Sequence, residues 1–215
     1  MKKLLYINSN PKAMEHSYGL QLGHHFLEEL LKKNPEIQIE TINLYDEVIP
    51  FIDGEVLDAW GKLAAGEELS PSQSEKVTRM NEILEQFLSA DTYVFATPMW
   101  NLSYPPMLKA YIDNIVMAGR TFKYTESGPQ GLMTGKTAIH VQSRGGVYSE
   151  GPAQSFEFTN GYLQGVLAFI GITDYHHVFV EGTAAAPDKA DEILAAAKEK
   201  ASQLAVNLSN VNQNA

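Results

Sequence analysis

The sequence predicts a doubly wound α/β protein, a five-stranded parallel sheet with helices on both faces. Short unbroken apolar runs such as Leu4-Leu5-Tyr6-Ile7 and Tyr93-Val94-Phe95-Ala96 are what a sheet buried on both sides requires. Segments of helical period separate such runs, so the order reads β-α-β-α-β-α-β-α-β, and right-handed crossovers then demand parallel strands. Two of the runs lead straight into distinctive loops, Thr97-Pro98-Met99-Trp100-Asn101 and Ser143-Arg144-Gly145-Gly146. Open α/β sheets bind ligands just beyond the carboxyl ends of their strands.

Strand one covers 4–7. A polar loop, 8–16, is broken by Pro11, and Ser17 stands where a helix N-cap belongs. Leu20, Phe26, Leu27, Leu30 and Leu31 recur at helical spacing until Asn34-Pro35 stops the helix. Residues 37–44 alternate apolar and polar, as an edge strand does. The stretch 50–71 is long and irregular, a length that signals either function or partial helix. Ser72-Gln73-Ser74-Glu75 reads as a capping box for a helix running to about Ser89. Strand three is 92–97. Pro105-Pro106 opens a helix bearing Leu108, Tyr111, Ile112 and Ile115 and ending near Gly119. Residues 121–131 are turn-rich, a short hairpin. Strand four is 137–142. A helix over 162–170 stops at Gly171, a good C′ glycine, and strand five is 175–180. Pro187 opens the last helix, with Ile193, Leu194, Ala197, Leu204 and Leu208. Five strands suit the flavodoxin-like order 2-1-3-4-5, whose ligand site lies at the switch point beside strand one. The loops starting at Asn8, Pro98 and Ser143 then share one crevice.

No linker, repeat or charge run divides the 215 residues, so we expect one domain, 1–208, and a polar tail, 209–215. A net charge of -10 without a basic cluster argues against nucleic-acid binding. The chain has no cysteine, which removes disulfides, thiolate metal sites and thiol nucleophiles, and fits a cytoplasmic protein. The apolar run after Met1-Lys2-Lys3 is too short for a signal peptide or a membrane span. Among the six histidines, the adjacent pairs His24-His25 and His176-His177 point to different faces, and His140 lies in a buried strand, so no metal site is expected. G-x-S-x-G, G-x-G-x-x-G and P-loop patterns are missing, which disfavours serine hydrolysis, dinucleotide binding at the first turn and P-loop chemistry. A phospho-receiver needs acids after strands one and three, where this chain has Asn8, Ser9, Thr97 and Pro98.

The loop from Asn8 to Gly19 brings Ser9 and Ser17 to a helix N-terminus, where hydroxyls, free amides and the helix dipole favour a phosphate. Taken alone, the loop reads first as an ordinary polar connection with a serine cap. Trp100 after a buried strand calls for cover, by a planar ligand, a partner subunit or the core itself. Asn101 both donates and accepts, which suits the edge of a heterocycle. Gly145 and Gly146 offer amides unobstructed by side chains, or simply a mobile turn, and Arg144 could neutralise an anion or be solvated. The combination fits a flat, polar-edged ring.

Over nearly its whole length the chain resembles the FMN-dependent NADH-azoreductases, within the flavodoxin-like NAD(P)H:quinone reductases. Pro98-Met99-Trp100-Asn101, the stretch Ala118-Gly119-Arg120-Thr121-Phe122-Lys123-Tyr124-Thr125-Glu126-Ser127-Gly128-Pro129, Ser143-Arg144-Gly145-Gly146 and Phe169-Ile170-Gly171-Ile172 carry the resemblance. It implies a homodimer with one FMN per subunit at each of two interface sites, oxidising NADH or NADPH. The FMN phosphate would lie on Ser9, Ser17, Tyr18 and Gly19. The isoalloxazine would sit against Met99, Trp100, Asn101 and Leu102, with Ser143, Arg144, Gly145 and Gly146 at its other edge. Tyr124 and Phe169 match positions lining the substrate space, Phe169 from the second subunit. Leu102 replaces a frequent Phe, and Tyr18-Gly19 a second serine of the phosphate loop. The implied chemistry is ping-pong transfer from NAD(P)H to quinones and azo compounds, carried by FMN without a catalytic side chain. The amides of Gly145 and Gly146 would stabilise negative charge at the ring edge. The alternative is a non-catalytic flavodoxin-type electron carrier. The excursions 50–71 and 121–131, which could wall a pocket, favour the enzyme.

Overall fold

The computed structural model describes residues 2–213, with side chains described through residue 210. In chain order the elements are β1 (Lys3–Asn8), α1 (Tyr18–Lys33), β2 (Gln38–Asn43), α2 (Gly54–Ala65), α3 (Pro71–Ser89), β3 (Thr92–Pro98), α4 (Pro106–Ile115), β4 (Phe122–Thr125), β5 (Gly128–Gly131), β6 (Thr137–Arg144), α5 (Asn160–Phe169), β7 (Asp174–Glu181) and α6 (Ala190–Gln213). The main sheet runs β2-β1-β3-β6-β7, all parallel, which is the expected order 2-1-3-4-5. The antiparallel pair β4–β5 is the expected hairpin.

Every residue of the central strand β3 is buried, because helices cover both faces of the sheet. Leu5, Ile7, Tyr93 and Phe95 pack on one face with α3, α4 and α5. Leu4, Val94, Ala96 and Ile139 pack on the other with α1 and α6. The hairpin is fastened to the end of α5 by a bond from Met133 N to Ile170 O at 2.8 Å. A Cβ on Gly131 would lie 2.2 Å from Gly171 N, so only glycine permits this approach.

Four expectations need correction. The capping box is Ser70 with Gln73, one register earlier than Ser72-Gln73-Ser74-Glu75. Pro71, which has no N–H to lose, takes the first helical position and makes Ser70 the cap. The 50–71 excursion, by contrast, is partly helical as expected: it contains α2, capped by Asp53 and closed by Gly66 in the left-handed region. Helix α4 stops at Ile115, not near Gly119, because the Thr121 hydroxyl bonds Ile115 O and Met117 N and draws the chain away. Ser143 and Arg144 belong to β6, paired with Val180 and Glu181, so the loop proper begins at Gly145. Helix α6 continues beyond residue 208. Ser209 is buried and accepts from Asn34 Nδ2 at 2.5 Å, while residues 214 and 215 of the expected tail lie outside the described residues.

Candidate functional site at the switch point of the sheet

Ser17 is the N-cap of α1, with extended backbone at φ -139°. Its Oγ accepts from Leu20 N at 3.2 Å and from Asn10 Nδ2 at 2.8 Å. Both acceptor directions are used, so the hydroxyl proton is left to donate outward. The N–H groups of Tyr18 and Gly19 lie in the first helical turn, where no intrahelical carbonyl reaches them. A Cβ at Gly19 would meet Ser143 Oγ at 2.8 Å, so glycine lets the helix start seat on the end of β6. Ser9 is fully buried, with its N–H 3.0 Å and its hydroxyl 3.4 Å from Ala96 O. It pins the loop from behind.

After β3 the chain makes a two-residue turn. Trp100 and Ser103 exchange backbone bonds of 2.9 and 3.0 Å, and Asn101 and Leu102 lie at φ 48° and 67°. These signs define a type I′ turn. Asparagine tolerates that region, whereas leucine there costs about 1–2 kcal/mol. Met99 N donates to Ser143 O at 2.9 Å, joining this loop to β6. The Trp100 ring is 37% exposed, with Tyr45 tilted against it at 6.3 Å.

Beyond β6 the carbonyls of Gly145 and Gly146 turn toward the loop after β7. Gly145 O accepts from Ala184 N at 2.9 Å and Gly146 O from Gly182 N at 3.1 Å. Among the described residues, neither glycine N–H donates a hydrogen bond. Arg144 departs from expectation. Its side chain is 1% exposed and faces into the fold, donating to Gln142 Oε1 at 2.6 Å, Glu181 at 2.9 Å and Glu157 at 3.2 Å. The Phe179 ring lies 3.8 Å from the guanidinium carbon. Arg144 therefore neither meets solvent nor reaches out to an anion, and only its backbone borders the cleft. Burial alone would raise the Glu181 carboxyl, but the Ser149 hydroxyl, Arg144 and the Tyr148 N–H outweigh it and hold it below the usual range. His140 is pushed down to about 3, chiefly by burial, and stays neutral. Its Nδ1 faces Asn160 Oδ1 at 3.2 Å and its Nε2 faces the Thr97 hydroxyl at 3.3 Å.

The three loops enclose a cleft of about 280 Å³, bordered by Ser17, Tyr18, Met99, Trp100, Ser143, Arg144 and Gly145. The structure adds Asn10, Lys12, His16, Pro98 and Thr183 to its border. Asn10 and Lys12 lie in a loop, and Pro98 at a strand end, whose positions were readable. Nothing local marks Thr183, which arrives because β7 lies beside β6. One end of the cleft is lined by hydroxyl and amide donors with Lys12, and the other by an aromatic and thioether wall with Gly145 at its margin. That arrangement can take a phosphomonoester at one end and a planar heterocycle at the other. Ser9, Gly19, Asn101, Leu102 and Gly146 are chain neighbours of this border rather than part of it, and Tyr124 and Phe169 are not on it either. The last two meet on Phe122, at 5.3 and 4.7 Å, as an exposed aromatic cluster. Among the described residues, no group of three His, Asp or Glu side chains could hold a metal ion.

A family model described as a flavodoxin-like fold matches residues 2–205. The chain is 49% identical over 208 residues to the FMN-dependent NADH:quinone oxidoreductase 2 of Bacillus thuringiensis subsp. konkukian, covering 95% of this chain and 99% of that protein. It is 50% identical to the FMN-dependent NADH:quinone oxidoreductase of Geobacillus kaustophilus, with the same coverage. Among solved structures, an FMN-dependent NADH-azoreductase from Bacillus anthracis, in complex with FMN, superposes with a TM-score of 0.91 at 39% identity, covering 96% of this chain and 99% of that one.

Proposed function

The chain belongs to the FMN-dependent NADH:quinone oxidoreductase and azoreductase family, of flavodoxin-like fold, and we propose that it moves electrons from NADH through FMN to quinones and aromatic azo compounds. Bound FMN supplies the two-electron store that this cysteine-free chain lacks. The observation that carries the reading is a set of donors with no partner among the described residues. At one end are the Ser17 hydroxyl and the first-turn amides of Tyr18 and Gly19, and at the other the amides of Gly145 and Gly146. Ser17, Tyr18 and Gly19 would hold the phosphate with the α1 dipole behind them, and Ser9 would support the loop. Lys12 adds a cation at that end. Met99, Trp100, Asn101 and Leu102 would form the wall for the isoalloxazine, whose polar edge would meet Gly145 and Gly146. Ser143 anchors both loops, and Arg144 contributes through its backbone.

The protein acts, in this reading, as a cytoplasmic homodimer. Among the described residues no helix is long and apolar enough to cross a membrane. Phe51, Leu57, Phe156, Phe158, Tyr162 and Phe169 are all at least 37% exposed, an amount of apolar side chain that favours a partner surface. Tyr124 and Phe169, gathered on Phe122 of one chain, would together serve the acceptor site at the cleft of the second subunit. Apoprotein titrated with FMN should quench flavin fluorescence at one FMN per chain. The holoprotein should then oxidise NADH with a quinone acceptor, giving parallel double-reciprocal lines. No quenching would end the FMN reading, and a yellow protein inert toward NADH would be an electron carrier instead.

A further inference from the structure

We propose that Glu181 is a positioning residue for the flavin-facing glycine loop. Its carboxylate, backed by Arg144, holds residues 145–149 so that the Gly145 and Gly146 amides stay directed at the cofactor. The proposal rests on the FMN reading above and goes beyond it, because Glu181 does not border the cleft.

The loop leaves β6 with no strand or helix of its own to hold it until the short 3₁₀ turn at Pro152–Phe156. It is gripped from the β7 side along both of its polar edges. The carbonyls of Gly145 and Gly146 accept from Gly182, Ala184 and Ala185. The N–H groups of Tyr148 and Ser149 donate to Glu181 Oε1 at 3.0 and 3.1 Å, and the Ser149 hydroxyl bonds Oε2. With its later amides bound to Glu181 and its carbonyls bound beyond β7, the loop leaves the amides of Gly145, Gly146 and Val147 as its free donors.

Glu181 suits this work because it cannot turn. Arg144 Nη1 donates to the same Oε1 at 2.9 Å, so three donors converge on one oxygen. The guanidinium is itself locked by Gln142, by Phe179 and by Glu157. Glu157 in turn accepts from Thr159 N at 2.8 Å and Asn160 N at 3.0 Å, at the start of α5. One buried cation thus joins the glycine loop to the helix that ends at Phe169. Arg144 faces two carboxylates, so its charge is more than matched. It therefore acts by fixing geometry, and no net positive field reaches the cleft from this cluster.

The test uses the full-length chain and three variants. Glu181→Ala removes every contact of the carboxylate with the loop. Glu181→Gln keeps an amide oxygen for the Tyr148 and Ser149 amides and an N–H for the Ser149 hydroxyl. Ser149→Pro deletes the Ser149 donors while leaving the Arg144–Glu181 pair intact, and serves if Glu181→Ala does not fold. FMN dissociation constants are measured by fluorescence on apoprotein, and flavin midpoint potentials by dye equilibration. Glu181→Ala and Ser149→Pro should each weaken FMN by about tenfold or more, the equivalent of one good hydrogen bond. Both should shift the potential to more negative values, since amides that wander stabilise negative charge less. Glu181→Gln should stay within about threefold of wild type, because its bonds survive. FMN affinity and potential unchanged in Glu181→Ala, with only a lower melting temperature, would overturn the proposal. So would a Glu181→Gln variant as impaired as Glu181→Ala, which would make charge the cause. Wild-type protein that fails to bind FMN would instead overturn the parent reading.

Discussion

Replacing Ser17 by Asp tests the phosphate end of the cleft while sparing the helix cap. Aspartate caps helices as well as serine does. Its carboxylate offers the same acceptor to Leu20 N and Asn10 Nδ2 that the hydroxyl now offers. The fold should therefore melt within a few degrees of wild type. FMN, however, loses a hydroxyl donor and meets a carboxylate. A hydrogen bond to a charged group contributes about 1.5–3 kcal/mol. Two unit charges about 4 Å apart repel by about 4 kcal/mol at an effective dielectric of 20. Even with the second term halved for an open cleft, the sum is about 4 kcal/mol, or roughly 10³-fold in dissociation constant. Ser17→Ala makes the opposite trade: it loses the cap, about 1 kcal/mol of stability, but adds no charge. Alanine should thus be the less stable variant and aspartate the poorer FMN binder. Titration of each apoprotein with FMN and with riboflavin, which has no phosphate, supplies the control. Riboflavin affinity should be nearly unchanged in Ser17→Asp. Equal losses for the two ligands, or FMN affinity within about threefold of wild type, would refute the phosphate assignment.

Acid should destabilise the fold through His140. Its folded value of about 3 lies below the ordinary value of 6.5, so the unfolded chain takes up the proton first. Its contribution is intact above 6.5 and is lost as pH falls toward 3, by up to about 1.4 kcal/mol per pH unit. His177, lowered mainly by burial, adds to the same loss. In urea titrations from pH 7 to 5, His140→Gln should lose less stability than wild type, and an equal slope would contradict the assignment. Phe169→Ala should reorder the rates of quinone and azo acceptors in the oxidative half-reaction while leaving flavin reduction by NADH within about threefold, because aromatic walls select flat ligands by stacking. Strongly slowed reduction with an unchanged acceptor order would place Phe169 at the nicotinamide instead. Dilution followed by sedimentation should show activity falling as dimers dissociate, and a fully active monomer would remove the dimer from the mechanism.

Much of this protein was legible in its residues because the signals are local. Apolar runs, and for the edge strand an apolar–polar alternation, placed the five strands of the main sheet, and the succession of element types ordered them. Ser17 and Gly171 marked a helix start and a helix end. Switch-point logic predicted that the loops after β1, β3 and β6 would meet, and all three border one cleft. Arg144 shows where that reading stopped. Beside two glycines it looks like a residue facing a ligand. Its direction depends on β6 running two residues further than the predicted strand 137–142. It depends equally on Glu157 and Glu181, 13 and 37 positions away along the chain. Pairing across such separations leaves no periodicity in the sequence. A buried guanidinium is tolerable only where carboxylates meet it in the folded state. The same holds for Thr183, which reaches the cleft only because β7 closes the sheet beside β6. Local propensity set the elements and their caps, and long-range pairing decided which side chains face the cleft and which hold it from behind.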